Sequence, residues 1–416
     1  MVKISIETYG CAVNQADSEK ITSELLAAGY DVGDDGDVIV VNTCTVKGPT
    51  EKKIIRRLRE LEAAGKNVIV AGCLPSAQPE IVEEFSGFGF VGINGEDVTK
   101  AVSSVLTGKP YVNIQLHSSV DKQQSFRINP VVEIVPISQG CLGSCSYCIT
   151  KKARGDLKSR SCDEILTQIK KGIQAGIKEV WLTAQDTGCY GLDIDSNLPE
   201  LINEVSSLRG DFRVRVGMMN PNHVLGFLDE LVESFQSEKV YNFLHLPLQS
   251  GCNKILREMG REYSVEDFND IVGEFRKNEK FSISTDVIVG YPTESEEEFQ
   301  ETVQVIKEIQ PDILNISRFW ARPHTAAMEL KPLAGRITKA RSRIMNEVFK
   351  GIGKNRNRRW IGWKGTALVS EYKKDLCARN KSYKPIIIKS KRNLLGEEVG
   401  VEITEVTYYD LRGRII

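Results

Sequence analysis

Three cysteines lie close together in the middle of this chain, in the sequence Cys141-Leu-Gly-Ser-Cys145-Ser-Tyr-Cys148. We call them the loop trio. Thiolates separated by three and two residues can reach one soft metal centre, which indicates an iron–sulfur cluster or zinc. A closed structural zinc site needs four protein ligands, and no fourth Cys or His completes a local pair here. A four-iron cluster on this loop would keep one iron free of protein ligands, and that iron could hold a substrate or cosubstrate. A zinc knuckle and three cysteines that lie close together by chance are the alternatives that the spacing alone leaves open.

The length and the hydropathy pattern of the chain are those of an ordinary globular protein. The chain has 416 residues, which predicts two to three domains. We find no apolar run near the roughly 20 residues that span a bilayer, and residues 1–7 alternate like a strand rather than a signal peptide. The sequence therefore predicts a cytoplasmic protein whose ten cysteines are thiols or metal ligands rather than disulfides.

Charge is distributed unevenly along the chain. Residues 351–416 hold 15 Lys and Arg against 7 Asp and Glu, a net charge of +8, whereas the whole chain carries −1. A basic terminal segment on an acidic body indicates a polyanion bound at one end, with a solvated lysine-rich surface as the alternative. Trp360 and Trp363 at its start could stack on bases, but such tryptophans more often fill the core of a small barrel.

Residues 1 to about 120 alternate strands and helices, which predicts a small doubly wound α/β domain. Strand-like runs cover residues 3–8, 37–42, 67–71 and 87–91, and helical patterns cover residues 17–28 and 51–64. Cys11, Cys44 and Cys73, which we call the sheet-edge trio, each follow a strand within a few residues. The carboxyl ends of parallel strands share one edge, so the three thiols should converge on a second three-cysteine site. Buried core cysteines are the alternative, but those would be expected inside the strands.

The middle of the chain predicts six β/α units. Their strand-like runs are residues 131–138, 178–183, 212–217, 242–247, 282–290 and 313–319. Six units are too few for a closed eight-stranded barrel, so we expect an open partial barrel with its site at the carboxyl ends of the strands. Capping-box patterns at Ser161, Thr293 and, more weakly, Ser264 predict helix starts between the strands.

The last part of the chain predicts a helix followed by a small β-barrel. Residues 335–359 form a basic helical segment, and short strand-like runs follow at residues 366–371, 383–389 and 400–407. Short strands with turn residues between them are typical of small all-β barrels.

With these residues together, the chain resembles the radical S-adenosylmethionine (SAM) methylthiotransferases. Gly10-Cys-Ala-Val-Asn14 is similar to that family's Gly-Cys-x-x-Asn start, and the loop trio has the spacing of the radical SAM signature. The resemblance implies three domains: residues 1–122 as the family's cluster-binding domain, residues 127–350 as a partial (β/α)6 radical SAM barrel, and residues 351–416 as a TRAM-like RNA-binding barrel.

The resemblance also implies the cofactors, two [4Fe-4S] clusters and SAM. The loop trio would hold the catalytic cluster, whose open iron chelates SAM and whose electron cleaves it to a 5′-deoxyadenosyl radical. The sheet-edge trio would hold a second cluster that carries or donates the sulfur. Gln185 and Asp186, after the second barrel strand, would accept hydrogen bonds from the amino group of SAM.

Three further stretches carry weaker signals. Residues 243–251 and 284–292 resemble family stretches. A buried core histidine is an equally good interpretation of His245, and a structural hydrogen-bond acceptor is the alternative for Asp286. In residues 321–327 the chain departs from the family, because many members have glycine at the position of His324.

The substrate follows from the same resemblance. Family members act on an adenosine beside the tRNA anticodon or on an aspartate of a ribosomal protein, and the basic tail favours RNA. Residues 185–191 and 215–221 look like the group that acts on threonylcarbamoyladenosine. The resemblance thus implies methylthio transfer to C2 of N6-threonylcarbamoyladenosine at position 37 of tRNA, with a flavodoxin-type or ferredoxin-type electron donor. The alternatives are a ribosomal-protein aspartate methylthiotransferase and a non-catalytic iron–sulfur RNA-binding redox sensor.

Overall fold

The structure, a computed structural model, describes residues 2–46, 48–95, 97–115 and 126–416. Its first region is a six-stranded parallel sheet in the order β2-β1-β3-β4-β5-β6. The strands are β1 (Lys3–Thr8), β2 (Asp31–Val32), β3 (Val38–Thr43), β4 (Asn67–Gly72), β5 (Gly89–Val91) and β6 (Tyr111–Asn113), and the helices are α1 (Ala12–Ala27), α2 (Gly48–Ala63), α3 (Cys73–Ala77), α4 (Ile81–Glu84) and α5 (Val98–Leu106). The four predicted strands are confirmed, whereas β2 and β6, of two and three residues, are too short to give a period-2 pattern.

Helices cover both faces of this sheet, so the doubly wound prediction is confirmed. Ile21 of α1 packs on one face together with α5, and Ile54 and Leu58 of α2 pack on the other. The β3 strand is buried at all six positions, as expected for a parallel strand covered on both sides. Helix α1 begins five residues earlier than predicted, because Cys11 is its N-cap.

The second region is the open partial barrel that the sequence predicts. Its strands are β7 (Val132–Pro136), β8 (Ser138–Gln139), β9 (Lys158–Ser159), β10 (Glu179–Thr183), β11 (Arg213–Val216), β12 (Phe243–His245), β13 (Ser282–Val289) and β14 (Ile313–Arg318), and its helices are α6 (Thr150–Arg154), α7 (Cys162–Gln174), α8 (Leu198–Ser207), α9 (Pro221–Val224), α10 (Leu228–Ser234), α11 (Asn253–Glu258), α12 (Val265–Arg276) and α13 (Glu296–Ile309). The parallel strands pair in the orders β11-β10-β7 and β12-β13-β14. A bridge from Val214 to Val240 brings the two halves side by side, which leaves β7 and β14 as the open edges.

Local capping decides where the barrel helices begin. The predicted capping boxes at Ser161 and Ser264 are confirmed, each with its partner three residues on. The prediction at Thr293 is wrong, because α13 is capped by Ser295, whose hydroxyl accepts from the backbone N–H of Glu298. Thr293 and Ser295 both begin a Ser/Thr-x-x-Glu pattern. Glu294, between them, accepts from the backbone N–H of Gly290 at 2.7 Å, and this bond shapes the turn before the helix so that Ser295 is the cap.

Replacing Ser295 with alanine is expected to destabilise α13 by about 0.5–2 kcal/mol, the usual cost of losing an N-cap hydroxyl. Thr293→Ala is the matched control and should leave this helix end unchanged, because Thr293 does not cap it. Hydrogen exchange of the first-turn amides of α13 measures the difference. Equal protection in the two variants would contradict the capping assignment.

The third region joins a long helix to a closed barrel. Its elements are α14 (Gly335–Arg358), β15 (Lys364–Tyr372), β16 (Leu376–Arg379), β17 (Pro385–Ile388), β18 (Glu398–Val406) and β19 (Leu411–Ile415). The strands close in the order β15-β16-β17-β19-β18, which confirms the predicted small β-barrel. Trp360 lies in its core with Trp363 packed beside it, so the core interpretation of the two tryptophans is confirmed.

The closed barrel packs directly against the partial barrel. Tyr383 inserts its ring against Tyr241 and Phe243, with ring centroids 4.7 and 4.9 Å apart. Lys381 and Asn242 join the two regions by a backbone hydrogen bond of 2.8 Å. The small barrel is therefore packed into the partial barrel rather than tethered beside it.

The predicted domain boundaries stay predictions. The first, near residue 122, lies outside the described residues, and the second, between residues 350 and 351, falls inside α14. Within the described part of the chain, we find no helix with both the length and the apolar character needed to cross a membrane.

Candidate active site

The loop trio lies where the sequence predicts it, after the first strand of the partial barrel. Gly140 opens the loop with a φ of +79°, and a Cβ there would come 2.0 Å from the carbonyl oxygen of Asp156, so the turn requires glycine. Each thiol accepts a hydrogen bond from the protein. The donors are the backbone N–H of Gly143 to Cys141 Sγ at 3.3 Å, Arg261 Nη1 to Cys145 Sγ at 3.2 Å and the backbone N–H of Thr150 to Cys148 Sγ at 3.4 Å.

The sheet-edge trio also converges as predicted. Cys44 and Cys73 directly follow β3 and β4, and Cys11 lies three residues after the end of β1; the three strands are neighbours whose carboxyl ends share one edge. The preceding glycines make the turns: Gly10 has a φ of +129° and Gly72 a φ of +91°. A Cβ on Gly10 would lie 3.0 Å from Cys44 Cβ, which shows how closely the first two loops approach.

Asn14, the asparagine of the Gly-Cys-x-x-Asn start, has a structural role in the sheet-edge trio. Its side chain is buried, its amide donates to the carbonyl oxygen of Thr43 at 2.9 Å, and its Oδ1 lies 3.5 Å from Cys11 Sγ. Thr43 directly precedes Cys44, so one amide group ties the first cysteine to the loop of the second. Both loops are thereby held in place by a group that is not itself a thiol.

Both trios have the donor chemistry of an iron–sulfur cluster. Burial raises the pKa of Cys44 and of Cys141 to about 11, so protons must leave these thiols when a metal binds. Among the described residues, the one group with three candidate ligand atoms within 4.8 Å of one another is Asp186, Cys189 and His223. Neither trio meets that spacing. Each trio supplies three sulfurs, which fits a cluster with one open iron.

Arg322 lies beside the sheet-edge trio with unused donors. Its guanidinium is buried, and its Nη2 donates to Thr45 Oγ1 at 2.6 Å, one residue after Cys44, and pairs with the carboxylate of Glu51; among the described residues, Nε and Nη1 have no hydrogen-bond partner. Buried donors are rarely left unsatisfied. These donors lie near the segment that follows Cys44.

Gln185 and Asp186 lie after β10, close to the loop trio, but both already have protein partners. Gln185 Oε1 accepts from the backbone N–H of Gly140 at 2.8 Å. The carboxylate of Asp186 is fully buried and accepts from Gly188, Asn220 and His223. Their contact with the amino group of SAM stays a prediction, and the structure assigns both side chains to holding the loop and the end of β10.

A polar chain runs from Asp186 back to the loop trio. Asn220 donates to Asp186 Oδ2 at 2.6 Å and accepts from Arg261, whose Nη1 reaches Cys145. The partial barrel also holds a pair that the sequence left open, since His245 Nε2 and Asp286 Oδ2 lie 2.6 Å apart, with side-chain exposures of 17% and 30%. His245 is therefore only partly buried and is paired, rather than an apolar core histidine.

His324, where the chain departs from the family pattern, has an unusual backbone conformation. His324 has a φ of +61°, the region that favours glycine. The position thus keeps the backbone turn for which glycine is suited and adds an imidazole 3.6 Å from Glu80.

Arg154 and Asp17 are not among the predicted site residues, and they meet in a buried ion pair at 2.6 Å. One signal was present, because Asp17, Ile21 and Leu25 lie on one stripe of α1 at spacings of four residues, and a carboxylate on a buried stripe needs a partner. No local pattern names that partner, since Arg154 lies 137 residues away.

Two parts of the chain match known families. Residues 135–306 match the radical SAM superfamily, and residues 3–91 match a family described as uncharacterized protein family UPF0004. The solved structure of TsrM, a radical S-adenosylmethionine methyltransferase from Kitasatospora setae, superposes with a TM-score of 0.55 at 16% identity, over 76% of this chain and 73% of that one. An open parallel half-barrel with three thiols at its carboxyl edge is the arrangement of a radical SAM enzyme, and that superfamily carries a [4Fe-4S] cluster and SAM.

Full-length relatives narrow the class. A Pyrococcus abyssi protein named probable threonylcarbamoyladenosine tRNA methylthiotransferase is 46% identical over 100% of both chains. A human protein named threonylcarbamoyladenosine tRNA methylthiotransferase is 34% identical over 99% of this chain and 74% of its own length. The chain belongs to this family, the radical SAM methylthiotransferases of the threonylcarbamoyladenosine type.

Proposed function

We propose that this protein transfers a methylthio group to C2 of N6-threonylcarbamoyladenosine at position 37 of tRNA. The observation that carries the proposal is the convergence of two separate cysteine trios, one at the edge of a radical SAM barrel and one at the edge of the neighbouring parallel sheet. Removing hydrogen from an aromatic carbon needs a radical, which SAM supplies when it is bound with the loop-trio cluster. The names of the full-length relatives support the nucleoside and the tRNA.

The second cluster, on the sheet-edge trio, belongs to the proposal. Three thiols and a buried arginine that donates to one of them form a donor set suited to an anionic cluster. A flavodoxin-type or ferredoxin-type electron donor and a cytoplasmic location complete the proposal.

The positive charge of residues 351–416 supports binding of tRNA to the C-terminal barrel, but not all of the net charge of +8 faces solvent. Arg356 and Lys384 both bond the buried carboxylate of Asp312, so part of the positive excess is used inside the protein. Lys389, Lys391 and Arg392 instead lie exposed on the loop after β17. Exposed cations of this kind contact phosphates, which makes this loop the favoured part of the barrel for RNA.

The test is the nucleoside composition of tRNA from cells with and without the gene. We expect the 2-methylthio derivative of threonylcarbamoyladenosine to disappear from the digest without the gene, with the unmodified precursor rising by the same amount. Re-expression of the intact chain should restore the product, and re-expression with Cys141, Cys145 and Cys148 replaced by alanine should not. An unchanged methylthio nucleoside would overturn this substrate.

Two rival functions give different results with the purified protein. A ribosomal-protein aspartate methylthiotransferase would modify a peptide aspartate and leave tRNA unchanged. A redox-sensing RNA-binding protein would bind tRNA but form no 5′-deoxyadenosine when SAM and a reductant are added.

A further inference from the structure

A short helix connects the two trios. Helix α6 begins two residues after Cys148, and its last residue is Arg154. Ile149 and Ala153 pack against Cys73 and Ala77 of α3. The segment that leaves the loop trio therefore ends against the sheet-edge trio.

Arg154 makes two contacts at that end of the helix. Its Nε donates to Cys73 Sγ at 3.3 Å, and its Nη2 donates to Asp17 Oδ2 at 2.6 Å. The side chains of Arg154 and Asp17 are 2% and 5% exposed. The guanidinium is thus fixed from one side by a carboxylate and presents its remaining edge to a thiol.

We propose that Arg154 is a positioning residue for the sheet-edge cluster. It holds Cys73 in place and influences the reduction potential of the cluster. The inference rests on the proposed function, because it requires a cluster on that trio. Hydrogen bonds to ligand sulfurs and nearby charge are the main protein influences on cluster potential. A cation beside the centre favours its reduced, more negative form, whereas the Asp17 carboxylate partly offsets this.

The loop trio has an arginine of its own. Arg261 reaches Cys145 from the turn after α11 and is also buried. The two centres are therefore tuned by separate cations, and Arg154 acts on the sheet-edge centre from the polypeptide that anchors the other one. A change at Arg154 should affect the sheet-edge centre selectively.

The test is a redox titration of full-length protein in which Cys141, Cys145 and Cys148 are replaced by alanine, so that only the sheet-edge cluster titrates. Arg154→Met should lower its midpoint potential and Asp17→Asn should raise it. We expect about a tenfold change in the ratio of reduced to oxidised cluster at a fixed potential, equal to about 59 mV for one electron. Lys152→Met is the matched control, because it removes the same charge from an exposed position on α6.

Opposite shifts cannot arise from a general loss of structure, and iron and sulfide counting confirms that each variant holds its cluster. Two intact clusters in the unmodified protein, with no shift in Arg154→Met or Asp17→Asn beyond that of Lys152→Met, would overturn this inference alone. Iron and sulfide for a single cluster in the unmodified protein would instead overturn the proposed second cluster.

Discussion

Replacing Cys11, Cys44 and Cys73 together with alanine is expected to abolish methylthio transfer while leaving SAM cleavage intact. The sheet-edge trio lies in a separate sheet from the loop trio, so its loss removes the proposed sulfur centre without removing a ligand of the radical SAM cluster. We expect the methylthio product to fall by more than about 100-fold, because even partners of metal ligands commonly cost 10–100-fold when removed. The measurement is methylthio nucleoside and 5′-deoxyadenosine from the same anaerobic reaction.

A matched variant separates this effect from the loss of any three thiols. Cys162, Cys252 and Cys377 lie outside both trios and are free in the structure. Their joint replacement by alanine should leave the iron content unchanged and the product within a few-fold of the intact protein. Product formation that survives loss of the sheet-edge trio would show that the sulfur comes from elsewhere.

Replacing Asp312 with asparagine is expected to destabilise the protein by about 3–5 kcal/mol, because it leaves buried cations without their counter-charge. Asp312 lies just before β14 with no exposed side-chain surface, and its carboxylate bonds Lys384 and Arg356 at 2.9 Å each. Arg276 and Arg359 stand 3.6 Å away. One carboxylate therefore joins the partial barrel, α14 and the closed barrel.

The variant should lose the docking of the closed barrel first. Urea unfolding followed by tryptophan fluorescence reports this when Trp181 and Trp320 are replaced by phenylalanine, because the two remaining tryptophans, Trp360 and Trp363, lie in that barrel. Glu402→Gln changes the same charge at an exposed ion pair with Arg414 and should change stability little. Equal midpoints for Asp312→Asn and Glu402→Gln would contradict the role of Asp312 as the joint.

The same cluster predicts acid sensitivity. Burial alone would raise the pKa of Asp312, but the charges of Lys384 and Arg356 outweigh it and hold the pKa well below its usual range. A depressed carboxyl pKa stabilises the folded state above the unfolded pKa of about 3.9, and the contribution is lost as pH falls towards the folded value. The stability gap between the intact protein and Asp312→Asn should therefore be constant near neutral pH and narrow below about pH 4.

Much of the fold was predictable because its signals are local. The six barrel strands and the main strands of the first sheet appear as apolar or alternating strand-like runs, and their existence is confirmed with ends that move by a few residues. The capping error at Thr293 shows the limit of such signals, since two overlapping Ser/Thr-x-x-Glu patterns compete and only the turn before them decides.

The sequence by itself determined that there are two cysteine trios and where each belongs. A three-residue and a two-residue spacing confine the loop trio to one turn of chain, and the rule that parallel strands end at one edge gathers the sheet-edge trio. Only the tertiary structure decided what surrounds them: Arg154 on Cys73, Arg261 on Cys145, and Asp312 as the joint of the barrels. Arg154 lies 81 residues from Cys73 along the chain, and Arg261 lies 116 residues from Cys145. Backbone spacing fixes what is near in sequence, whereas the pairing of buried charges depends on which helices pack together.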